Sequence, residues 1–237
     1  MCALKSVTIA PLGGLTLVQL RVPTPAGGRV DRSEVTVWWG DLTTPAGRPV
    51  DFLQVLSEAE QLRAMAYRHP LRQRAFVLGR LGLRQLVGAA LGLRPAEVQI
   101  QVNTQGKPYL PTASLHLSLA HSGDRVIYAL AGRPVGIDLE RARTYTHVPA
   151  IARRYFHPVE RVFLADSGWQ PQVFAHLWTA KEAYAKAVGF GLGSYLQQVN
   201  TLARSSRPNA QGWAWATWEP EADYTASLCW RPAGVVL

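Results

Sequence analysis

The stretch Leu115-His116-Leu117-Ser118-Leu119-Ala120-His121-Ser122-Gly123-Asp124-Arg125-Val126-Ile127-Tyr128-Ala129-Leu130-Ala131-Gly132-Arg133-Pro134-Val135-Gly136-Ile137-Asp138-Leu139-Glu140 decides how this chain folds. Leu115, Leu117 and Leu119 alternate with His116, Ser118 and Ala120, a period of two that puts the leucines on one face of a strand. Ser122-Gly123-Asp124 offers a turn and Val126 to Leu130 a second run, which predicts a hairpin with His121 at its bend. Gly132-Arg133-Pro134 turns the chain into Val135 to Glu140, and three consecutive short strands predict an antiparallel meander.

Outward from this stretch, helices and strands come in clusters rather than strict alternation, which favours an α+β fold over a doubly wound one. Toward the N-terminus, Val35 to Trp39 has strand character, and residues 23–33, with Pro23, Pro25, Gly27 and Gly28, read as a loop. Ser57-Glu58-Ala59-Glu60 is a capping-box pattern that starts one helix. Pro70 starts a second, which runs toward Gly92. Between positions 61 and 94 the chain carries Arg63, Arg68, Arg72, Arg74, Arg80, Arg84 and Arg94 and no acidic residue, either a solvated basic face or an anion-binding wall. Toward the C-terminus, Val173 to Val188 reads as a helix ended by Gly189, Gly191 and Gly193. Two strand-like runs, Trp213 to Trp218 and Tyr224 to Trp230, flank a turn, with Trp213 and Trp215 on one face packing against a helix.

The chain has 237 residues, 48% hydrophobic and 17% charged, which excludes a disordered or fibrous protein. Its net charge of +9 biases it toward anionic partners without choosing among them. Cys2 and Cys229 have no metal-type spacing and read as free thiols in a reducing cytoplasm. The stretch Val7 to Leu20 only faintly resembles a signal segment, because Pro11, Gly13 and Gly14 interrupt it. No run approaches the about 18 apolar residues of a membrane helix, so a cytoplasmic protein with no membrane partner is expected.

Two constellations carry chemistry. In Val135 to Glu140 the period of two puts Asp138 and Glu140 on one strand face, over an apolar other side. Two neighbouring carboxylates repel unless a cation or protons relieve them, and they form a natural half-site for Mg²⁺. A solvated acidic face fits the same spacing. In Trp178-Thr179-Ala180-Lys181-Glu182-Ala183-Tyr184-Ala185-Lys186, Glu182 and Lys186 share a helix face, either as a surface ion pair or as a metal ligand or base beside a phosphate-binding cation. Gly106-Lys107-Pro108-Tyr109 adds a turn that presents Lys107. The sequence has no phosphate-binding P-loop, no His-Glu-x-x-His and no Gly-x-Ser-x-Gly.

In this order, Gly106-Lys107-Pro108-Tyr109, Ser118-Leu119-Ala120-His121-Ser122-Gly123, Gly136-Ile137-Asp138-Leu139-Glu140, Trp178-Thr179-Ala180-Lys181-Glu182 with Lys186, and Gly189-x-Gly191-Leu192 resemble the 4′-phosphopantetheinyl transferase superfamily, in its longer, Sfp-like branch. Arg153-Arg154-Tyr155-Phe156 with Glu160 is similar to the segment between that family's two main motifs. The resemblance spans roughly positions 35–200. It implies two similar α+β halves related by a pseudo-twofold axis, residues 1–134 and 135–237, with 1–33 as an extension and each half a small, mainly antiparallel sheet packed on helices.

It further implies coenzyme A bound between the halves and its phosphopantetheine arm passed to a serine of an acyl or peptidyl carrier protein, with adenosine 3′,5′-bisphosphate released. Asp138, Glu140 and Glu182 would be ligands of Mg²⁺, or of Mn²⁺; Asp138, Glu182 and Lys186 would carry catalysis, with Glu182 as base and Lys186 steadying the pyrophosphate. Lys107 and His121 would lie near the donor's phosphates, and the family's nucleotide-contacting arginine would be Arg72 or Arg74. Ala120 stands where the branch often has a hydroxyl residue, which removes one contact to the donor. One copy of the chain would suffice, so a monomer is expected. A nucleic-acid-binding module is the rival reading, and it leaves the three carboxylates unexplained; no nucleic-acid partner is expected.

Overall fold

The expected hairpin forms as β6 (His116–Ser122) and β7 (Arg125–Ala131), but the third strand, β8 (Val135–Arg141), leaves the ladder. β7 has no free edge: β6 occupies one side and β3 (Val35–Asp41) the other, in register from Val35↔Ala131 to Asp41↔Arg125. The meander is therefore a hairpin followed by a change of sheet. β8 runs beside the outer edge of β6 in the same direction, joined to it through side chains. Ser118 Oγ accepts the Ile137 N–H at 3.0 Å and Ser122 Oγ accepts the Arg141 N–H at 3.0 Å. His121 lies within β6, opposite Val126, and the turn is made by Gly123 and Asp124.

The structure, a computed structural model, describes residues 9–12, 15–20, 35–43, 53–112, 114–202 and 211–232. Residues 23–33 and Cys2 lie outside them. β1 (Ile9–Leu12) and β2 (Leu15–Leu20) join the first sheet, whose order is β1-β2-β3-β7-β6. The second sheet is β8-β10-β9, with β9 (Ala214–Trp218) and β10 (Tyr224–Trp230) antiparallel around the expected turn. The inner faces of the two sheets meet through Val37, Trp39, Ile127 and Ala129 on one side and Val135, Ile137, Leu139 and Leu228 on the other. Leu15, Leu17 and Tyr128 face the other way, onto the long helix α2 (Pro70–Leu91). Trp213, Trp215 and Cys229 face the second long helix, α5 (Pro171–Val188), where burial pushes the Cys229 thiol pKa up.

The two halves repeat one device. α1 (Glu58–Met65) begins with the expected capping box, and the Glu60 carboxylate that caps it is buried against Arg84 of α2 at 2.7 Å. Arg84 in turn donates to the carbonyls of Pro95 and Val98, in and just after the 3-10 turn Pro95–Glu97 that follows α2. In the second half, α3 (Val148–Tyr155) leads to α4 (Pro158–Asp166), whose capping carboxylate Glu160 accepts the His157 N–H at 2.8 Å. Glu160 meets Lys181 of α5 at 2.7 Å, both side chains fully buried. Lys181 donates to the carbonyls of Leu196 and Val199, in and just after the 3-10 turn Ser194–Gln198. Both long helices start on a proline and end at a left-handed glycine, Gly92 (φ 69°) and Gly189 (φ 83°). A short two-stranded pair, β4 (Gln101–Val102) and β5 (Pro108–Tyr109), completes the first half.

Two expectations on stability follow. Lys181→Met strands the Glu160 charge in the interior and should cost about 3–5 kcal/mol in urea-unfolding free energy. Gly136 lies under α5, where an added Cβ would overlap the Ala183 carbonyl oxygen and the backbone of Ala187. Gly136→Ala should therefore lower stability by about 1–3 kcal/mol or more on the same measurement.

Candidate active site

Because Gly136 has no side chain, α5 settles directly on β8, and the polar face of that strand lies under the helix. Asp138 and Glu140 share that face, and the i, i+4 pair Glu182 and Lys186 faces it from α5. Lys186 Nζ is 2.6 Å from Asp138 Oδ1 and 4.0 Å from Glu182 Oε2. Ser122 Oγ donates to Glu140 Oε2 at 3.1 Å. The second Asp138 oxygen, Oδ2, is buried and has no hydrogen-bond partner.

The electrostatics show too much negative charge for one lysine. Burial pushes all three carboxyl pKa values up. The Asp138 charge pushes further on Glu140, and on Glu182, whose pKa rises to about 7. Burial alone would lower the Lys186 pKa, but Asp138 and then Glu182 hold its ammonium above the ordinary value. Among the described residues, no group of three carboxylate, imidazole or thiol side chains closes into a ready-made metal cage.

These residues line a cleft of about 610 Å³ between the halves. Its second-half wall carries Asp138, Glu140, Glu182, Lys186 and the glycine loop Gly189–Gly191; its first-half wall carries Arg63, Tyr67, Phe76, Arg80, Lys107 and His121. The structure thus brings together Asp138, Glu140, Glu182, Lys186, Lys107 and His121, along with Ala120. Lys107 is placed by Asn103, whose Oδ1 accepts the N–H groups of Gln105 and Lys107. Its ammonium crosses to the other half and donates to the carbonyls of Val135 (3.0 Å) and Lys186, and burial lowers its pKa to about 8. Enclosure, and then the Lys186 charge, hold the His121 imidazole below its usual pKa.

Arg72 and Arg74 do not line the cleft. Arg72 is exposed, and Arg74 donates to the carbonyls of Leu42 (3.0 Å) and Thr43 (2.7 Å), tying α2 to the end of β3. The arginines that do reach the cleft, Arg63 and Arg80, both lie against the Phe76 ring, at 5.6 and 5.5 Å from its centroid. Nor do the arginines of 61–94 form one basic face, because Arg80 and Arg84 are buried beside Glu60. A readable signal for this pair was their spacing: four apart, they fall within the apolar run of α2.

Comparison with known proteins fits this arrangement in both halves. The family model of the 4′-phosphopantetheinyl transferase superfamily matches residues 134–229, and that of the 4′-phosphopantetheinyl transferase N-terminal region matches residues 47–134. The 4′-phosphopantetheinyl transferase HetI of a Nostoc species is 29% identical over 227 residues, 89% of this chain and 95% of that protein. A 4′-phosphopantetheinyl transferase of Bacillus subtilis is 30% identical over 64% of this chain and 68% of its own length. The Sfp enzyme of Bacillus subtilis is 28% identical over 60% of this chain and 63% of its own. The chain belongs to the 4′-phosphopantetheinyl transferase superfamily, in its Sfp-like branch.

Proposed function

We propose that coenzyme A binds in the cleft between residues 1–134 and 135–237, and that its 4′-phosphopantetheine arm passes to a serine hydroxyl of an acyl or peptidyl carrier protein. The observation that carries the site assignment is the Asp138, Glu140 and Glu182 cluster, with one lysine among its carboxylates and Asp138 Oδ2 buried without a partner. Such a set is short of a cation, and its hard oxygen donors fit Mg²⁺, or Mn²⁺, better than a soft metal. Asp138, Glu140 and Glu182 are the residues that would hold that ion, whose chemistry there is to neutralise charge on the donor's pyrophosphate.

The chain's own groups then divide the work. Glu182 is our candidate base for the carrier serine, directly or through a water held beside it; in the metal-free cleft, burial and the Asp138 charge raise its pKa to about 7. The serine oxygen forms a bond to the phosphorus that bears the pantetheine arm. The bond from that phosphorus to the nucleotide breaks, and adenosine 3′,5′-bisphosphate leaves with the electron pair. Lys186 offers its ammonium to the pyrophosphate oxygens as charge builds on the leaving group. His121 faces the same cleft from β6. Lys107 supports the site from behind, holding the start of β8 to the end of α5.

One chain supplies both walls, so we propose that a single copy works alone. The net charge of +9 suits a polyphosphorylated donor and an acidic carrier. Among the described residues no helix is long and apolar enough to cross a membrane, and we place the reaction in the cytoplasm.

Intact-protein mass spectrometry of an apo carrier protein incubated with this protein, coenzyme A and Mg²⁺ should show the gain of one phosphopantetheine, and a chelator should prevent it. Asp138→Ala should slow that gain by at least about a hundred-fold, with the circular dichroism of the wild type retained. Near-normal turnover by Asp138→Ala would remove the metal-site assignment. No gain on fatty-acid, polyketide or peptidyl carriers, with coenzyme A binding also absent, would remove the transferase reading.

A further inference from the structure

All three carboxylates of the site belong to the second half, yet one of them is held by the first. Asp138 and Glu182 meet Lys186, which comes from their own half. Glu140 is reached across the joint between the halves, by Ser122 of β6. A serine hydroxyl has one proton to give and lone pairs to accept with. The Ser122 proton goes to Glu140 Oε2 at 3.1 Å, and the oxygen takes the Arg141 N–H at 3.0 Å. One hydroxyl therefore grips the Glu140 side chain and the backbone of the next residue together.

The setting gives that grip its meaning. Ser118, Ala120 and Ser122 share one face of β6; the first and last supply rungs to β8, at Ile137 and Arg141, and the middle one has no hydroxyl to give. The Ser118 rung ends on the backbone, whereas the Ser122 rung continues to a carboxylate. A glutamate side chain has three free torsions, and the Asp138 charge acts against that of Glu140. Without a tether, the Glu140 carboxylate would turn out toward solvent.

We infer that Ser122 is a positioning residue for the cation site: it holds Glu140 in place against Asp138, so the first half helps shape a site whose ligands all lie in the second. The inference rests on the assignment of Asp138, Glu140 and Glu182 proposed above. Ser122 does not itself line the cleft, so it acts through Glu140 and not on the substrate. Its bond occupies one oxygen of Glu140 and leaves the other for a cation.

The test compares the wild type with Ser122→Ala, Ser122→Thr and Ser118→Ala. Mn²⁺ is titrated into each protein without donor or carrier, and the free ion is read by electron paramagnetic resonance. Ser122→Ala should weaken Mn²⁺ binding by about ten-fold, the loss of one hydrogen bond to a charged group, and Ser122→Thr, which keeps the hydroxyl, should restore most of it. Ser118→Ala removes the other rung and should leave the Mn²⁺ affinity within about two-fold of the wild type. In the metal-free protein the Arg141 amide should exchange with deuterium about ten-fold faster in Ser122→Ala than in the wild type or Ser122→Thr. In the transfer assay Ser122→Ala should raise the Mg²⁺ concentration for half-maximal rate by about ten-fold and regain most of kcat once Mg²⁺ saturates.

Equal Mn²⁺ affinity in wild type and Ser122→Ala would overturn the inference. The same weakening from Ser118→Ala would also overturn it, because the joint between the strands would then be responsible and not the contact with Glu140. A wild type that binds no Mn²⁺ loses the cation site and this role with it. Mn²⁺ binding that depends on Ser122, in a protein that transfers nothing, keeps the role and loses the transferase reading.

Discussion

Lys181 is fully buried and, among the described residues, has only Glu160 for a countercharge, and that restriction fixes the rotation of α5. Successive residues on a helix are turned by about 100°. With Lys181 pinned inward by Glu160 and by the carbonyls of Leu196 and Val199, Glu182 and Lys186 can only face β8 and the cleft. Burial alone favours the neutral lysine, so the charged state depends on Glu160 being present and correctly placed. Glu160 is placed by its other work: it caps α4 and accepts both the N–H and the hydroxyl of Thr201 at 2.6 and 2.7 Å. A pair like this adds little net stability over an apolar equivalent, but it permits few alternative arrangements. The orientation of the site's helix is what it secures.

The site itself works against folding. Asp138, Glu140 and Glu182 all become harder to ionise when the chain folds, so at neutral pH their charges draw on stability that the rest of the molecule supplies. The supply is visible where the two sheets meet. Trp39 and Tyr224 pack edge to face across the halves, the Trp39 indole donates to Glu221 at 3.0 Å, and Arg125 binds Asp41, Asp124 and Glu221. These contacts join the two sheets on the side away from α2 and α5, and they offset the cost of holding the three carboxylates close together.

Much of this was legible in the sequence because it is local. The capping box at Ser57, the proline and glycine that bound each long helix, the β9–β10 turn and the shared face of Asp138 and Glu140 each depend on residues a few positions apart. The departures depend on distant residues. Whether β8 could pair with β7 depended on β3, about ninety residues earlier, having taken that edge. Arg72 or Arg74 reads from the sequence as the ligand-binding arginine, because nothing near Arg74 announces the carbonyls of Leu42 and Thr43 that it binds. The repeat was hidden because it is chemical rather than literal: Ser57-x-x-Glu60 answers His157-x-x-Glu160, and an arginine answers a lysine.

That repeat explains why two similar halves make one site. When Arg84 is set against Lys181, the position that holds Glu182 in the second half is Gln85 in the first, and the position of Lys186 is Ala89. The first half has neither the carboxylate nor the ammonium at these positions and has only the buried pair beneath them. It carries Arg80 and Arg63 at the cleft instead, so the walls bear opposite charge. A polyanionic ligand would be drawn to the first wall and would need a cation to rest against the second. A symmetric pair of carboxylate walls would repel the same ligand from both sides. The difference between the halves, on a scaffold that each closes with its own buried ion pair, is therefore what gives the cleft a direction.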